Sequence, residues 1–263
     1  MTKLLSLGSD PEYFLSDLQG NVRSSIGLIG GDKDHPLKLS YCSILEDNVA
    51  VEINPEPAFN QSDFVKNTIN AMADMNNLLK RLDLKTIEFS AIEFSPLELL
   101  DPMARISGCI PDFNAYTEKA NQAVDMWSTN LRSAAGHIHV GVKLDEEDKP
   151  NLVKVLDIMV SLPLAFKFRN SNDEILRRSL YGKAGCFRFK PYGLEYRTPS
   201  NKWTFNPKLI AWVWSQVERS VDEMDSLLSY HGSIKDKLVS SINNQVDEEF
   251  FYNVVNDLNL EVI

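Results

Sequence analysis

Little in this 263-residue chain suits an oxidised or membrane-spanning fold. Only three cysteines occur, Cys42, Cys109 and Cys186, far apart and with no CxxC pair. Such a set excludes a disulfide frame and a structural zinc site, and it fits a reduced, cytoplasmic protein. Long hydrophobic runs are missing too: the stretch 158–166 is interrupted by Ser161 and Pro163 and is too short for a bilayer. Residues 1–7 are followed at once by Gly8, Ser9 and Asp10, so no secretory leader is expected. With twelve glycines, twelve prolines and 43% hydrophobic residues the composition is that of a globular protein, which excludes collagen-like and disordered chains. There is no GxGxxG, and Gly30-Gly31-Asp32-Lys33 lacks the Walker A spacing. Positive charge is scarce. Lys and Arg number 27 against 37 Asp and Glu, a net charge of −10 with no basic stripe, so neither nucleic acid nor a membrane is an expected partner.

The basic residues that do occur gather between Lys167 and Arg197, through Arg169, Arg177, Arg178, Lys183, Arg188 and Lys190. A local positive cluster in an acidic chain fits a small anionic ligand, although Arg177 and Arg178 fit a solvated helix face equally well.

Hydrophobic patterning gives strands at 4–7, 13–16, 26–28, 37–41 and 49–54, with a turn at Gly20-Asn21. Ser62 reads as an N-cap for a helix from Asp63 to about Leu82. A strand follows at 86–94, and 96–129 is irregular. Residues 135–144 read as a strand, 147–162 and 173–180 as helices, and 187–198 as a hairpin or bent strand pair. From Asn206 onward the period is helical, with Ile210, Val213, Val217, Val221, Met224 and Leu228 on one face. Early strands, later interspersed helices and no regular alternation predict an α+β class, a single domain over 1–263 with a helical tail at about 206–263. Its sheet should be largely antiparallel and covered on one face by helices.

Polar pairs two residues apart recur in the strand-like segments: Asp10/Glu12, Glu52/Asn54, His137/His139, Arg188/Lys190 and Glu195/Arg197. Residues i and i+2 of a strand share a face, so each pair projects from one side of the sheet. Carboxylates with one or two imidazoles suit Mg²⁺ or Mn²⁺ when phosphate oxygens complete the coordination sphere. Nearby guanidinium and ammonium groups suit a transferring phosphoryl group. Each pair alone has a plain explanation, since Asp-x-Glu is common on surfaces and Glu195/Arg197 would serve as an ion pair. Together they predict one shared cleft floor.

Gly8-Ser9-Asp10-Pro11-Glu12-Tyr13-Phe14, Glu46 to Asn54, Gly136-His137-Ile138-His139-Val140-Gly141 and Lys190 to Ser200 resemble, in that order, phage-encoded carboxylate–amine ligases of type 2. These belong to the glutamine synthetase and glutamate–cysteine ligase superfamily, and the resemblance spans about residues 3–230. It implies a curved antiparallel sheet of glutamine synthetase type and an ATP- and Mg²⁺- (or Mn²⁺-) dependent ligase. The substrates implied are a small-molecule or peptide carboxylate and an amine, joined through an acyl phosphate. By the same resemblance Glu12, Glu52, Glu195 and one of His137 and His139 would hold metal. Arg197, with Arg188 and Lys190, would act on the phosphates. Asp10, Glu46, Asp47 and Glu56 are further candidates for metal. The Gly30-Gly31 loop with Lys33 would cover the phosphates or serve as a plain connection. The chain lacks the length for the extra domain of glutamine synthetases, so its site should form within one chain. Competing readings are a guanidino-kinase-type phosphotransferase, a metal-dependent hydrolase and a non-catalytic binding protein on the same fold. An acceptor pocket is expected in the 96–129 region, where Phe113, Tyr116 and Trp127, together with Trp203, would line it or belong to the core.

Overall fold

A computed structural model describes residues 3–106 and 112–262; Cys109 lies outside the described residues. The chain opens with strand β1 (Leu4–Asp17), then β2 (Val22–Arg23), β3 (Leu37–Lys38), β4 (Cys42–Asp47) and β5 (Ala50–Pro55). Helix α1 (Gln61–Arg81) leads to β6 (Leu84–Ile87) and β7 (Ala91–Glu93). Short strands β8 (Phe113–Asn114), β9 (Lys119–Ala120) and β10 (Leu131–Ser133) precede β11 (Gly136–Val142). Helices α2 (Lys149–Leu156), α3 (Leu162–Lys167) and α4 (Asn172–Leu180) come next, followed by the hairpin β12 (Cys186–Lys190) and β13 (Gly193–Tyr196). Three helices end the chain: α5 (Pro207–Asp222), α6 (Met224–Asn243) and α7 (Glu248–Leu258).

Eleven strands form one sheet in the order β3-β4-β5-β1-β11-β13-β12-β8-β9, with β2 and β6 paired to the far half of β1. Each ladder described is antiparallel, and the class is α+β as expected. The two strands expected at 4–7 and 13–16 are one continuous strand. Pro11 sits where β1 passes from its ladder with β11 to its ladder with β5, so the missing N–H interrupts the interior of neither.

Other boundaries moved for physical reasons. Residues 26–28 form a turn, not a strand, and 86–94 splits into β6 and β7, which belong to different sheets. The α1 cap is Asn60, with Ser62 already inside the first turn. Asn60 Oδ1 accepts from the Asp63 N–H at 2.9 Å, and its Nδ2 donates to the Asp63 carboxylate at 2.7 Å, a reciprocal cap that a serine at 62 cannot form. The helix expected to stop at 162 continues to Lys167. A π-helical turn, Asp157–Ser161, joins α2 to α3, and this wider turn accommodates the N–H that Pro163 lacks.

Alternation along the strands separates two faces. Val51 and Ile53 of β5 and Ile44 of β4 pack against Ala71, Met75 and Leu79 of α1. Ile138, Val140, Leu194 and Tyr196 pack with α2, the π-helical turn and α5. Leu238, Ile242, Phe250, Phe251 and Val254 join this same cluster, so the C-terminal helices are part of the main core. Asp157, fully buried in the π-helical turn, accepts hydrogen bonds from the hydroxyls of Tyr116 and Tyr196.

Two outcomes follow from these contacts. Replacing Asn60 by Ala should lower stability by ~1 kcal/mol in urea unfolding, because the α1 N-terminus loses its cap. Burial pushes the Asp157 carboxyl up to about 7 despite the tyrosine hydroxyls that favour its charge. The folded state therefore binds this proton more tightly than the unfolded state, whose carboxyl titrates near ~3.9. The resulting stabilisation is complete below the unfolded value and is lost as pH rises through about 7. Unfolding free energies measured across that range should fall with pH more steeply in the native protein than in Asp157→Asn.

Candidate active site

The uncovered face of the sheet carries the polar pairs. Asp10 and Glu12 come from β1, Asp47 from the end of β4, Glu52 and Asn54 from β5, and His137 from β11. Glu195 is on β13 with Arg197 directly after it, and Arg188 and Lys190 are on β12. All of these, with Lys33 from the loop before β3, line one cavity of about 340 Å³. Register accounts for the convergence: Glu12 pairs with Glu52, Asp10 with His137, and Arg188 with Glu195 across neighbouring strands. Glycines keep the wall close. A Cβ at Gly136 would meet the Ser200 carbonyl oxygen at 2.5 Å, and one at Gly193, whose φ is +151°, would meet the Val140 carbonyl oxygen at 2.1 Å.

Charge is graded across the sheet. Five carboxylates and four permanent cations line the cavity, with the acids mostly on β4, β5 and β1 and the bases on β12, after β13 and on the Lys33 loop. Glu12, Asp47 and Glu52 bring carboxylate oxygens within 4.8 Å of one another, and Asp10, His137 and Glu195 do the same with two carboxylates and an imidazole. Glu195, 1% exposed, is also the hub of the basic side: Lys190 Nζ lies at 2.7 Å, Arg188 at 3.7 Å, and Arg197 donates to it directly. Arg197 is held from behind by Tyr181 and Asp112. Lys33 reaches Asp47 at 3.1 Å.

The electrostatics follow from crowding. Burial, reinforced by the Asp47 charge, pushes Glu12 up to about 8. Burial, with Asp10 and Asp47 beside it, raises Glu52 well above the usual carboxylate range. Burial and the Arg197 charge push His137 down to about 3, leaving a neutral imidazole with a lone pair to offer. Burial opposes ionisation of Asp10 as well, but the two imidazoles that bracket it, His139 at 3.0 Å and His137 at 3.2 Å, outweigh that and hold its carboxyl well below the ordinary value.

A divalent cation fits both groups. Like-charged carboxylates this close are relieved by a hard cation, and three oxygens suit Mg²⁺ or Mn²⁺. In the second group His137 Nε2 is buried without a hydrogen-bond partner, as expected of an atom kept for a ligand, whereas Glu195 Oε2 already meets Lys190 Nζ at 2.7 Å and Asp10 Oδ1 meets His137 Nδ1 at 3.2 Å.

Of the expected site residues, Glu12, Glu52, His137, Glu195, Arg188, Lys190, Arg197 and Lys33 meet in the cavity. His139 stands one step outside: its Nε2 contacts Asp10 and its Nδ1 the Tyr192 hydroxyl. Asp10 and Asp47, expected as further candidates, stand in the two groups that could hold a metal ion. Asp10 was legible from its spacing to Glu12, whereas Asp47 needed the β4–β5 hairpin, whose turn at Asn48 (φ +55°) sets which of Glu46 and Asp47 faces the cavity. Glu46 faces away and accepts from the N–H groups of Gly27, Ile29 and Gly30 at 2.9, 2.9 and 2.7 Å, and Glu56 is exposed. Arg177 and Arg178 are neither a solvated face nor part of the site. Both are buried, and Arg177 donates to the carbonyls of Ala134, Thr198 and Pro199. None of the four aromatics considered for a pocket lines this cavity: Trp203 is core, stacked on Phe64 at 6.0 Å, and Trp127 is 66% exposed.

Comparison with known proteins adds the family. Two solved structures overlay on this fold: "Apo GmaS without ligand" at a TM-score of 0.48 and 13% identity, covering 100% of this chain and 70% of its own, and "GmaS/ADP complex-Conformation 1" at 0.44 and 12%, covering 99% and 71%. Likeness at that distance carries no functional argument. No curated protein matches the chain. A family profile described as "Phage phiEco32-like COOH.NH2 ligase-type 2" matches residues 122–262. That span includes His137, His139, Arg188, Lys190, Glu195 and Arg197, and it runs past the limit at residue 230 expected from the motifs, through the C-terminal helices. Covering more than half of the sequence, the match makes this chain a member of the phage phiEco32-like carboxylate–amine ligase family, type 2.

Proposed function

We propose that the protein joins a carboxylate to an amine as an amide, using ATP and Mg²⁺ (or Mn²⁺) and passing through an acyl phosphate. The observation that carries this reading is the charge gradient of the cavity: two carboxylate-rich groups beside three cations on a single wall, the complement of a metal-bound polyphosphate next to a second anion.

Each group has a role set by its chemistry. Glu12, Asp47 and Glu52 would hold one divalent cation, and Asp10, His137 and Glu195 a second. Bound there, the cations would neutralise the phosphate charge that otherwise repels an incoming carboxylate. Arg188, Lys190 and Arg197 stand across from the acids, where guanidinium and ammonium donors can grip the transferring phosphoryl group. The Glu195 carboxylate orients all three, so the cationic side is organised before substrate arrives. Lys33, which lines the same cavity from a loop braced by Glu46, would reach the same phosphates.

Activation is needed because a carboxylate has no leaving group at neutral pH. Transfer of the γ-phosphoryl group to its oxygen supplies one. The amine nitrogen then attacks the acyl carbon, the bond to the phosphate oxygen breaks, and inorganic phosphate departs. The protein's work is to position the reactants and keep water from the acyl phosphate. His139 and Tyr192 buttress Asp10 from the rim and need not touch substrate.

Incubation with ATP, Mg²⁺ and pooled acids and amines, read by mass spectrometry, should give phosphate, ADP and a product whose mass equals two reactants minus water. A stable phosphorylated acceptor, or turnover without ATP, defeats the reading. Glu52→Gln should cut product formation at least ~100-fold, since its role is electrostatic. The same substitution should raise stability in metal-free buffer by ~1 kcal/mol, because it removes a like charge from a crowded group; differential scanning calorimetry with EDTA reads that change. Lys190→Met should lower kcat more than it raises the KM for ATP, because the ammonium grips the phosphoryl group in transfer, as measured by initial rates.

A further inference from the structure

Arg197 donates from Nη1 to Glu195 in the cavity, and its Nε is given to the Tyr181 hydroxyl. Tyr181 directly follows α4 and caps it, its N–H donating to the Arg177 carbonyl at 2.8 Å. The phenol oxygen can accept from Arg197 because its own proton is committed: it donates to Asp112 Oδ2 at 2.9 Å. Asp112 is 4% exposed, and its other oxygen, Oδ1, accepts from Asn121 Nδ2 at 2.8 Å. The Asn121 N–H bonds the Asp112 carbonyl at 2.7 Å, so these two residues close the end of the β8–β9 ladder. Donation therefore runs one way, from Arg197 to Tyr181 and from Tyr181 and Asn121 to Asp112.

The ring is fixed as well. The guanidinium carbons of Arg177 and Arg197 lie 5.8 and 5.5 Å from its centroid, and the His137 imidazole meets it edge-on with centroids 6.3 Å apart. Arg177, itself held by three main-chain carbonyls, thus reaches the site through this ring. Tyr181 touches both the arginine of the basic side and the imidazole of the second carboxylate group.

Chemistry explains a phenol at this place. Glu195 already pairs with Arg197, and a second direct ion pair would cancel more of the charge that a phosphate needs. A neutral hydroxyl satisfies Nε and leaves the Asp112 carboxylate at 3.5 Å, with a charged partner strengthening the hydrogen bond at each end of the phenol. We infer that Tyr181, its proton directed by Asp112, is a positioning residue that sets the Arg197 guanidinium for the phosphoryl group in transfer. The inference rests on the ligase reading for the reaction in which Arg197 acts.

Two variants test it. Tyr181→Phe keeps the ring and removes the oxygen. In Asp112→Asn, Oδ1 still serves Asn121, so an amide N–H replaces Oδ2; the phenol must accept from it and turn its proton toward Arg197. Turnover is read as ATP-dependent hydroxamate, with hydroxylamine as the amine and the acid that the pooled assay yields. Each variant should lower kcat at least ~10-fold while the KM for ATP changes less than ~2-fold. Combined, they should lose no more than ~2-fold beyond the worse single variant, because Asp112 acts through Tyr181. The geometry is read apart from turnover by hydrogen exchange at Arg197 Nε in the ¹⁵N-labelled full chain, the signal being assigned by its loss in Arg197→Lys. This exchange should be at least ~10-fold faster in Asp112→Asn. Should one variant fail to fold, the other carries the kcat and KM comparison. Unchanged exchange in folded Asp112→Asn, kcat within ~2-fold of native, or a double variant that loses the product of the single effects overturns the assignment. Faster exchange in Asp112→Asn with no ATP-dependent hydroxamate from the native chain would instead defeat the ligase reading and leave the positioning contact standing.

Discussion

Repulsion among buried carboxylates is the constraint around which this protein is arranged. Glu12, Asp47 and Glu52 stand on three adjacent strands with oxygens within 4.8 Å of one another. At about 4 Å and an effective dielectric constant of about 20, each ionised pair costs roughly 4 kcal/mol. No flexible loop would keep such a group together. A sheet whose far face is packed by α1 and the C-terminal helices can, because moving one carboxylate away means breaking a ladder or opening the core. The upward displacement of Glu12 and Glu52 is the signature of that confinement.

Opposite charge is placed where it tempers this cost without cancelling it. Arg188, Lys190 and Arg197 gather on Glu195, two strands away from Glu12, and Lys33 reaches across to Asp47. The wall thus remains acidic at one end and basic at the other. Arginines with a structural task are handled differently. Arg132 and Arg177 point into the protein and give their N–H groups to main-chain carbonyls, fixing segments that no regular ladder holds. Residue type alone does not distinguish these guanidinium groups from Arg188 and Arg197, which face the Glu195 carboxylate.

Much of the candidate site was legible before any coordinates, because spacing of two in a strand is a strong geometric rule. Asp10/Glu12, Arg188/Lys190 and Glu195/Arg197 each share a face as the pattern demands. The His137/His139 pair shows the limit of that rule. Both imidazoles contact Asp10, yet only His137 stands over the cavity, because the ladder carries His139 one step further along β11 toward Tyr192. Asp47 was hidden for a related reason: of two consecutive acids, which one faces the cavity depends on the phase of the hairpin. Helix ends were less legible than helix faces, since Asn60 caps α1 through a reciprocal contact and a π-helical turn carries the chain through Pro163.

By itself the sequence determined the α+β class, the faces of the main strands, the absence of a disulfide frame and the kinds of groups available for chemistry. These are local properties, written in composition and in periods of two and 3.6 residues. Tertiary structure alone decided which strands became neighbours, that β1 runs unbroken through Pro11, that Arg177 and Arg178 are buried, and that Ala104, Ile106, Val124 and Met126 line a cavity beside Glu12 and Asp47. Those outcomes depend on strand order and on contacts between residues far apart in the chain, and no local period encodes either.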